Sequence, residues 1–421
     1  MHKTFSWLLI LVNLALPLAA HAAEVSLTLD EAITIALRDN PDVLLKAEDL
    51  KKAKAQIAEA TASLYPSLSV SGSWTDTRGL YAEDVDAYSG HIGAKQLLYK
   101  GGQVMAAIKI GEYNYKATEA ALDAARQYTV YATKSAFYAL MLAEKYAVLN
   151  KDIVANTAAH QAVIEARFKS GEASESDRIR MRASLADTSQ AYEASRNQVQ
   201  AAQALLNNLL SFEKDVVIRP AGGFSYEARD VALDEAFLKA LKERPEIRQL
   251  DAQLEMARQN IEVARANARP NVYASWDYYA SSRLAASTTR NNNDYNIIGI
   301  TVSWPVFDGW LTKAKVDQAL IGVKSTQLTR DKTAKAVALD VRTAYLELAT
   351  ALAKTRSVAE ETRVYEDNFV VIRQQYNAGI ASALDTEDAQ LGLTVAQFNK
   401  IIADYDYLIA QARFDRATGG T

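Results

Sequence analysis

Two carboxylates three residues apart, Asp385 and Asp388, are the nearest approach this sequence makes to a reactive centre. They close the turn Tyr376-Asn377-Ala378-Gly379-Ile380-Ala381-Ser382-Ala383-Leu384-Asp385, and at spacing i, i+3 they share one face of any helix that begins there. Such a pair can act as general acid and base on a bound substrate. It can gather cations, because crowded like charges resist ionisation and raise one another's pKa. It can also stabilise the first turn of a helix, by about 0.3–1 kcal/mol per charge. The catalytic use finds no support nearby. The chain has no cysteine, and beyond its first 22 residues only His91 and His160, far apart in sequence. Thiol nucleophiles, disulfides, thiolate or imidazole metal clusters and Ser-His-Asp triads are therefore excluded, and neither an enzyme nor a cofactor is expected. A net charge of −4 offers no case for nucleic acid as a partner.

The turn recurs. Phe168-Lys169-Ser170-Gly171-Glu172-Ala173-Ser174-Glu175-Ser176-Asp177 lies 208 positions earlier, again with an aromatic first, glycine fourth and aspartate tenth. Gly171 and Gly379 can take the positive φ that a helix-ending residue needs. What positions the acids is therefore a set of long helices. From Trp310 to Tyr376 there is no proline and one glycine, Gly322, and from Ala383 to about Thr418 again no proline and one glycine, Gly392.

The N-terminus reads as a secretory signal peptide over residues 1–22: Lys3, an apolar run from Trp7 to Leu18, then Ala20-His21-Ala22. That run is too short to span a bilayer, and no later segment is apolar enough to do so as a helix. Thr28-Leu29-Asp30-Glu31 is a capping box that opens a helix ending at Asn40-Pro41, and a second helix runs from Pro41 to about Leu64. Adding 204 to each number turns Leu29-Asp30-Glu31-Ala32 into Leu233-Asp234-Glu235-Ala236, Pro41 into Pro245 and Pro66 into Pro270. Farther on the offset is 208, matching Gly101 to Gly309, Gly171 to Gly379 and Asp177 to Asp385. The chain is a tandem duplication: repeat 1 over 23–211, a linker over 212–231 lying outside the helices, and repeat 2 over 232–421. The second copy has Ala232 in place of the capping Thr28 and Arg244-Pro245 in place of Asn40-Pro41.

After Pro66 the period becomes two. Leu68, Val70, Gly72 and Trp74 alternate with serines, which predicts a strand over about 67–77 with one apolar and one wet face. Its partner, about 88–99, alternates less cleanly, with Ile92 and Leu98 on one side and Ser89, His91 and Lys95 on the other. The second copy gives strands at about 271–281 and 295–306, with polar loops at 78–87 and 283–293 between partners. Each run is roughly the ten residues of a tilted membrane strand, and Trp74, Trp276, Trp304 and Trp310 fit an aromatic belt. The long helices, 102–168 and 310–376, reach about 100 Å each. The return helices, 174–211 and 383–418, are shorter and match them only with the preceding 41–64 helix stacked end to end. Their apolar positions recur at the coiled-coil period of about 3.5.

A chain with four membrane strands cannot close a barrel alone, so several copies must share one; two would give eight strands with a filled interior, three would give twelve and leave a lumen. The fold expected is an α+β membrane protein with long coiled-coil helices plus four transmembrane β-strands per chain in contact with lipid; the alternative for the strands alone is a soluble sandwich with alternating faces. The duplicated Leu-x-x-Ala…Asn-Pro start (Leu29, Ala32, Asn40, Pro41), the Pro-x-Leu strand start (Pro66, Leu68), the Leu-Tyr-x-Gly-Gly exit (Leu98 to Gly102) and the Phe/Tyr-x-x-Gly turns, in this order and spacing, resemble the TolC-type outer-membrane factors. These are trimeric channel-tunnels of bacterial efflux and type I secretion. The resemblance implies a homotrimer with a shared 12-stranded barrel in the outer membrane and a periplasmic helical tunnel. It also implies tip turns around Gly171, Ser174, Gly379 and Ser382 that meet a periplasmic adaptor, and an inner-membrane ABC or RND-type transporter behind it. The family's entrance-closing residues fall on Asp177, Tyr376, Asp385 and Asp388, whereas a basic partner found in some members corresponds to Ala381. The expected function is a passive export duct. The rival reading is an envelope-anchored coiled-coil structural protein or adhesin.

Overall fold

The computed structural model describes residues 24–79, 85–213, 216–224, 232–285 and 290–420. The signal peptide assigned to 1–22, and parts of the linker and of both strand-tip loops, lie outside them. Repeat 1 runs β1 (Glu24–Leu27), α1 (Leu29–Asp39), α2 (Pro41–Ala62), β2 (Ser67–Thr77), β3 (Val85–Lys100), α3 (Gln103–Lys169) and α4 (Glu175–Leu210). After β4 (Val217–Pro220), repeat 2 runs α5 (Leu233–Glu243), α6 (Pro245–Ala266), β5 (Asn271–Ala285), β6 (Arg290–Ser303), α7 (Leu311–Asn377) and α8 (Ala383–Ala417). The copies match in length: α1 and α5 have 11 residues, α2 and α6 have 22, α3 and α7 have 67. At 1.5 Å per residue the long helices span about 100 Å.

Helix α3 is the spine. Toward the strands it packs between α2 and α6, toward the turns between α4 and α8, and α7 flanks α6 and then α8. Two buried clusters sit where short and long helices meet. One gathers Phe137, Leu140, Leu206, Leu210 and Ile218 around Ala32 and Ala36. The other gathers Val341, Ala344, Ile247, Tyr407 and Phe414 around Ala236 and Ala240. The alanines of α1 and α5 let these short helices lie close against the bundle, where a larger side chain would hold the axes apart.

The helix junctions explain the departures between copies. Thr28 caps α1 in a capping box with Glu31, whereas Ala232 makes no side-chain cap. Asn40 caps α2 through Asp42 N–H (3.0 Å) and donates its amide to the Leu209 carbonyl (3.1 Å). Arg244 is not a lost cap but a longer arm to the equivalent carbonyl: Nη1 donates to Ala417 O at 3.2 Å and to Asp340 Oδ2 at 2.8 Å, while Nε donates to Glu246 at 3.1 Å. A buried guanidinium needs such partners, because desolvating a lone charge is costly.

The linker carries a strand of its own. Within 212–231, β4 pairs in parallel with β1, and Ile218 is fully buried against the first cluster beside Phe212, Val216 and Phe224. It covers the first cluster of repeat 1. Gln203 fixes it by bonding both the N–H and the C=O of Ile218, at 3.1 and 2.8 Å.

The other sheet is antiparallel, in the order β2-β3-β5-β6, so the copies join at β3–β5 and both outer strands are open edges. Three strand spans are corrected, the first being the one expected at 271–281, which runs on to Ala285. The strand expected at 88–99 extends over Val85–Lys100, and a bulge between Leu97 and Tyr99 breaks its alternation. The one expected at 295–306 begins earlier, at Arg290, inside the loop expected at 283–293, and ends at Ser303, before Trp304-Pro305, where proline has no N–H for the ladder. One face of the sheet carries Leu68, Val70, Trp74, Ile92, Trp276, Ile298, Ile300 and Val302, all exposed. The other carries Ser67, Ser69, Ser71, Ser73, Ser89, His91, Lys95, Ser275, Asp277, Tyr279 and Ser281, as the register requires. Among the described residues no helix is long and apolar enough to cross a membrane. Helix α7 also shows exposed Ile321, Leu328, Leu339, Leu346, Val364 and Val371, each a near-whole number of turns from the last.

Candidate functional site

Both sequence-marked turns lie at the end of the helices remote from the sheet, and both use the same two devices. Each long helix ends in a Schellman motif. Gly171 (φ 82°) donates to Phe168 O at 3.1 Å and Glu172 N–H to Arg167 O at 2.8 Å. Gly379 (φ 73°) donates to Tyr376 O at 3.0 Å and Ile380 N–H to Gln375 O at 2.8 Å. Each return helix then starts with a serine capping box. Ser174 donates Oγ–H to Asp177 Oδ2 (2.6 Å) and accepts from Asp177 N–H (3.1 Å). Ser382 donates to Asp385 Oδ2 (2.6 Å) and accepts from Asp385 N–H (3.2 Å).

The capping boxes settle the local electrostatics of two acids. Hydrogen bonds from the Ser174 and Ser382 hydroxyls, then from their backbone N–H groups, hold Asp177 and Asp385 below the usual aspartate range. This opposes the rise expected from crowding alone, because within one chain the nearest charged or polar partner of each carboxylate is its own cap. Asp388, one turn farther along α8, is exposed and stands outside the cap. Tyr376 is half-buried, and Arg167 Nη2, from the other repeat, donates to its Oη at 3.4 Å. Sequence spacing gave no signal for this contact, which spans 209 positions. Arg178 lies over the Phe168 ring, 4.6 Å from its centroid, and donates to Glu175 at 2.6 Å.

The two tips are alike in backbone and opposite in surface. At equivalent positions of the two copies Glu172 corresponds to Ile380, Ile179 to Glu387 and Arg180 to Asp388. Ile179 and Ile380 are both exposed, Ile380 at 78%. The first tip is basic with Arg178, Arg180 and Arg182, the second acidic with Asp385, Glu387 and Asp388. Nothing here arranges a nucleophile against a base, and among the described residues no group of three or more His, Cys, Asp or Glu could hold a metal. What the tips offer is a shaped, charged rim with two exposed isoleucines, suited to contact rather than to reaction.

A family model described as outer membrane efflux protein matches residues 32–211 and 238–420. The alkaline protease secretion protein AprF of Pseudomonas aeruginosa is 25% identical over 414 residues, covering 90% of this chain and 82% of that protein. The outer membrane efflux protein BepC of Brucella suis is 21% identical over 94% of this chain and 86% of its own length. The Campylobacter jejuni CmeC outer membrane channel superposes with a TM-score of 0.79 at 18% identity, over 93% of this chain and 85% of that one.

Proposed function

The chain belongs to the outer membrane efflux protein family, and from that premise we propose that three copies close one twelve-stranded barrel and one helical tunnel. The protein is an outer-membrane channel-tunnel, with its helices in the periplasm, and it forms the exit duct of an efflux or secretion system. It acts by conduction, with no chemical step. The observation that carries the trimer is the four-stranded sheet, apolar on one face, polar on the other and unpaired at both edges. An open edge in lipid leaves backbone N–H and C=O groups unsatisfied, and joining β6 of one copy to β2 of the next removes both edges at once. The exposed apolar stripe of α7 supports the same joining along the tunnel. At the far end, Asp177, Tyr376, Asp385 and Asp388 form the aperture, and the turns at Gly171, Ser174, Gly379 and Ser382 dock a periplasmic adaptor. The adaptor in turn links the duct to an inner-membrane ABC or RND-type transporter.

Native mass spectrometry of the detergent-purified protein tests the trimer. A species of three times the mature mass is expected, and a stable monomer would overturn the shared barrel. Co-purification after crosslinking from cysteines placed at 173 and 381 tests the docking turns, with adaptor adducts expected from both.

A further inference from the structure

We propose that the lumen side of the sheet carries a selectivity belt, built by His91, Asp277, Tyr279 and Tyr295, that limits by size which solutes pass the outer end of the duct. It rests on the duct reading, in which the apolar face meets lipid and the polar face lines the lumen.

The belt follows from the strand register. Across the polar face the rows read Ser73-Ser89-Ser281-Asn293, then Ser71-His91-Tyr279-Tyr295, then Ser69-Gly93-Asp277-Ile297, then Ser67-Lys95-Ser275-Gly299. Three of the four side chains in the second row are rings, while the row above holds three serines and an asparagine and the row below holds Ser69, Gly93, Asp277 and Ile297, with no ring in either. Successive rows on one face are about 7 Å apart, so the rings form one ledge flanked by rows that carry none.

The ledge is held rigid. The His91 ring stacks on Tyr279 with centroids 4.5 Å apart and planes 27° from parallel. Tyr279 stacks on Tyr295 at 5.1 Å and 23°. His91 Nε2 lies 2.9 Å from Asp277 Oδ1, so the carboxylate fixes the imidazole from the row below. Gly93 makes room for that bond: a Cβ there would lie 2.8 Å from His91 Cε1 and 2.9 Å from Asp277 Oδ1. Below the ledge, Lys95 Nζ sits 4.4 Å from the centroid of the Tyr273 ring, folded onto the wall rather than reaching across the lumen. A twelve-stranded barrel is wide enough to leave a lumen, so repeating this arc three times narrows it at one level without closing it.

The absence of cysteine makes the test clean. Ser281→Cys stands one row above the ledge and Ser275→Cys two rows below it, both on the lumen side. In intact cells a small maleimide added outside is expected to label both. A polyethylene-glycol maleimide of several kilodaltons is expected to label Ser281→Cys at least an order of magnitude faster than Ser275→Cys. Replacing Tyr279 and Tyr295 by serine in the Ser275→Cys chain should remove most of that difference, and Gly93→Ala, which drives His91 and Asp277 off the wall, should enlarge it. Equal labelling of the two cysteines by the large reagent, or no gain in the double serine variant while it still assembles, overturns the belt. Ile300→Cys on the opposite face tests the duct reading separately: labelling there by water-soluble maleimide as fast as at Ser281→Cys would show that the polar face does not line a lumen.

Discussion

Replacing Ser382 by alanine deletes the hydroxyl that donates to Asp385 Oδ2 and accepts from Asp385 N–H, leaving the carboxylate only the residue 382 N–H at 2.8 Å. Loss of a serine N-cap costs about 1 kcal/mol, which corresponds to a roughly fivefold rise in local opening. The Schellman bonds of Gly379 and Ile380 do not involve Ser382 and stay in place, so the loosening is confined to the start of α8. Hydrogen exchange followed by mass spectrometry on peptides covering 376–390 is the assay, with peptides from 311–340 as the internal reference. The pH dependence carries a sign. Asp385 is held below its ordinary value, so the cap's contribution is fully present above the unfolded-state aspartate pKa and is lost as pH falls through the lower folded value. In the alanine variant the carboxyl returns toward its ordinary value, and acid loosening of the tip should begin at higher pH than in the parent. If exchange in 376–390 matches the parent at neutral pH, the capping box does not hold the turn.

Gly379→Val and Gly171→Val place a β-branched residue at φ 73° and 82°, where an added Cβ meets no neighbour within 4 Å, so the cost is backbone strain of about 1–2 kcal/mol. Export measured in cells should fall while trimers remain in the membrane. Asp385→Asn with Asp388→Asn should weaken block by multivalent cations added from the periplasmic side by about tenfold or more, since charges near 10 Å apart are only partly screened at 0.1 M salt. Bilayer recordings showing unchanged block would leave the acids as helix caps. Asp340→Ala takes one partner from the buried Arg244 and should lower stability by about 1.5–3 kcal/mol, read as the thermal transition of the assembly. Thr133→Val should raise it by about 1 kcal/mol, because the buried Thr133 hydroxyl has no partner among the described residues and the equivalent position in the second copy is already Val341.

Much of this architecture could be read from the chain because its signals are local and come twice. Leu29-Asp30-Glu31-Ala32 and Leu233-Asp234-Glu235-Ala236, or Gly171 and Gly379, mark the same step in two copies, and each was visible without knowing what lay across the fold. What stayed hidden depends on distant partners. The β1–β4 pair joins four residues near the N-terminus to four near position 218, too short for a period to register. The bulge at Leu97 and Tyr99 blurs an alternation that the pairing with β5 makes plain. Arg244 read as a departure until its reach to Ala417 O was known, and the Arg167 bond to Tyr376 belongs to no motif in either repeat.

The equal length of α3 and α7 makes the chain a ruler engraved twice. Inserting one heptad into α3 alone would lift the first tip by about 10 Å relative to the second, leaving the rim stepped rather than level. Inserting it into both, with matching additions to the shorter helices α4 and α8 beside them, would lengthen the whole duct and keep the rim flat. The distance the duct can bridge in an envelope is therefore set by a register shared between two halves of one chain, and it can drift in evolution only by paired edits.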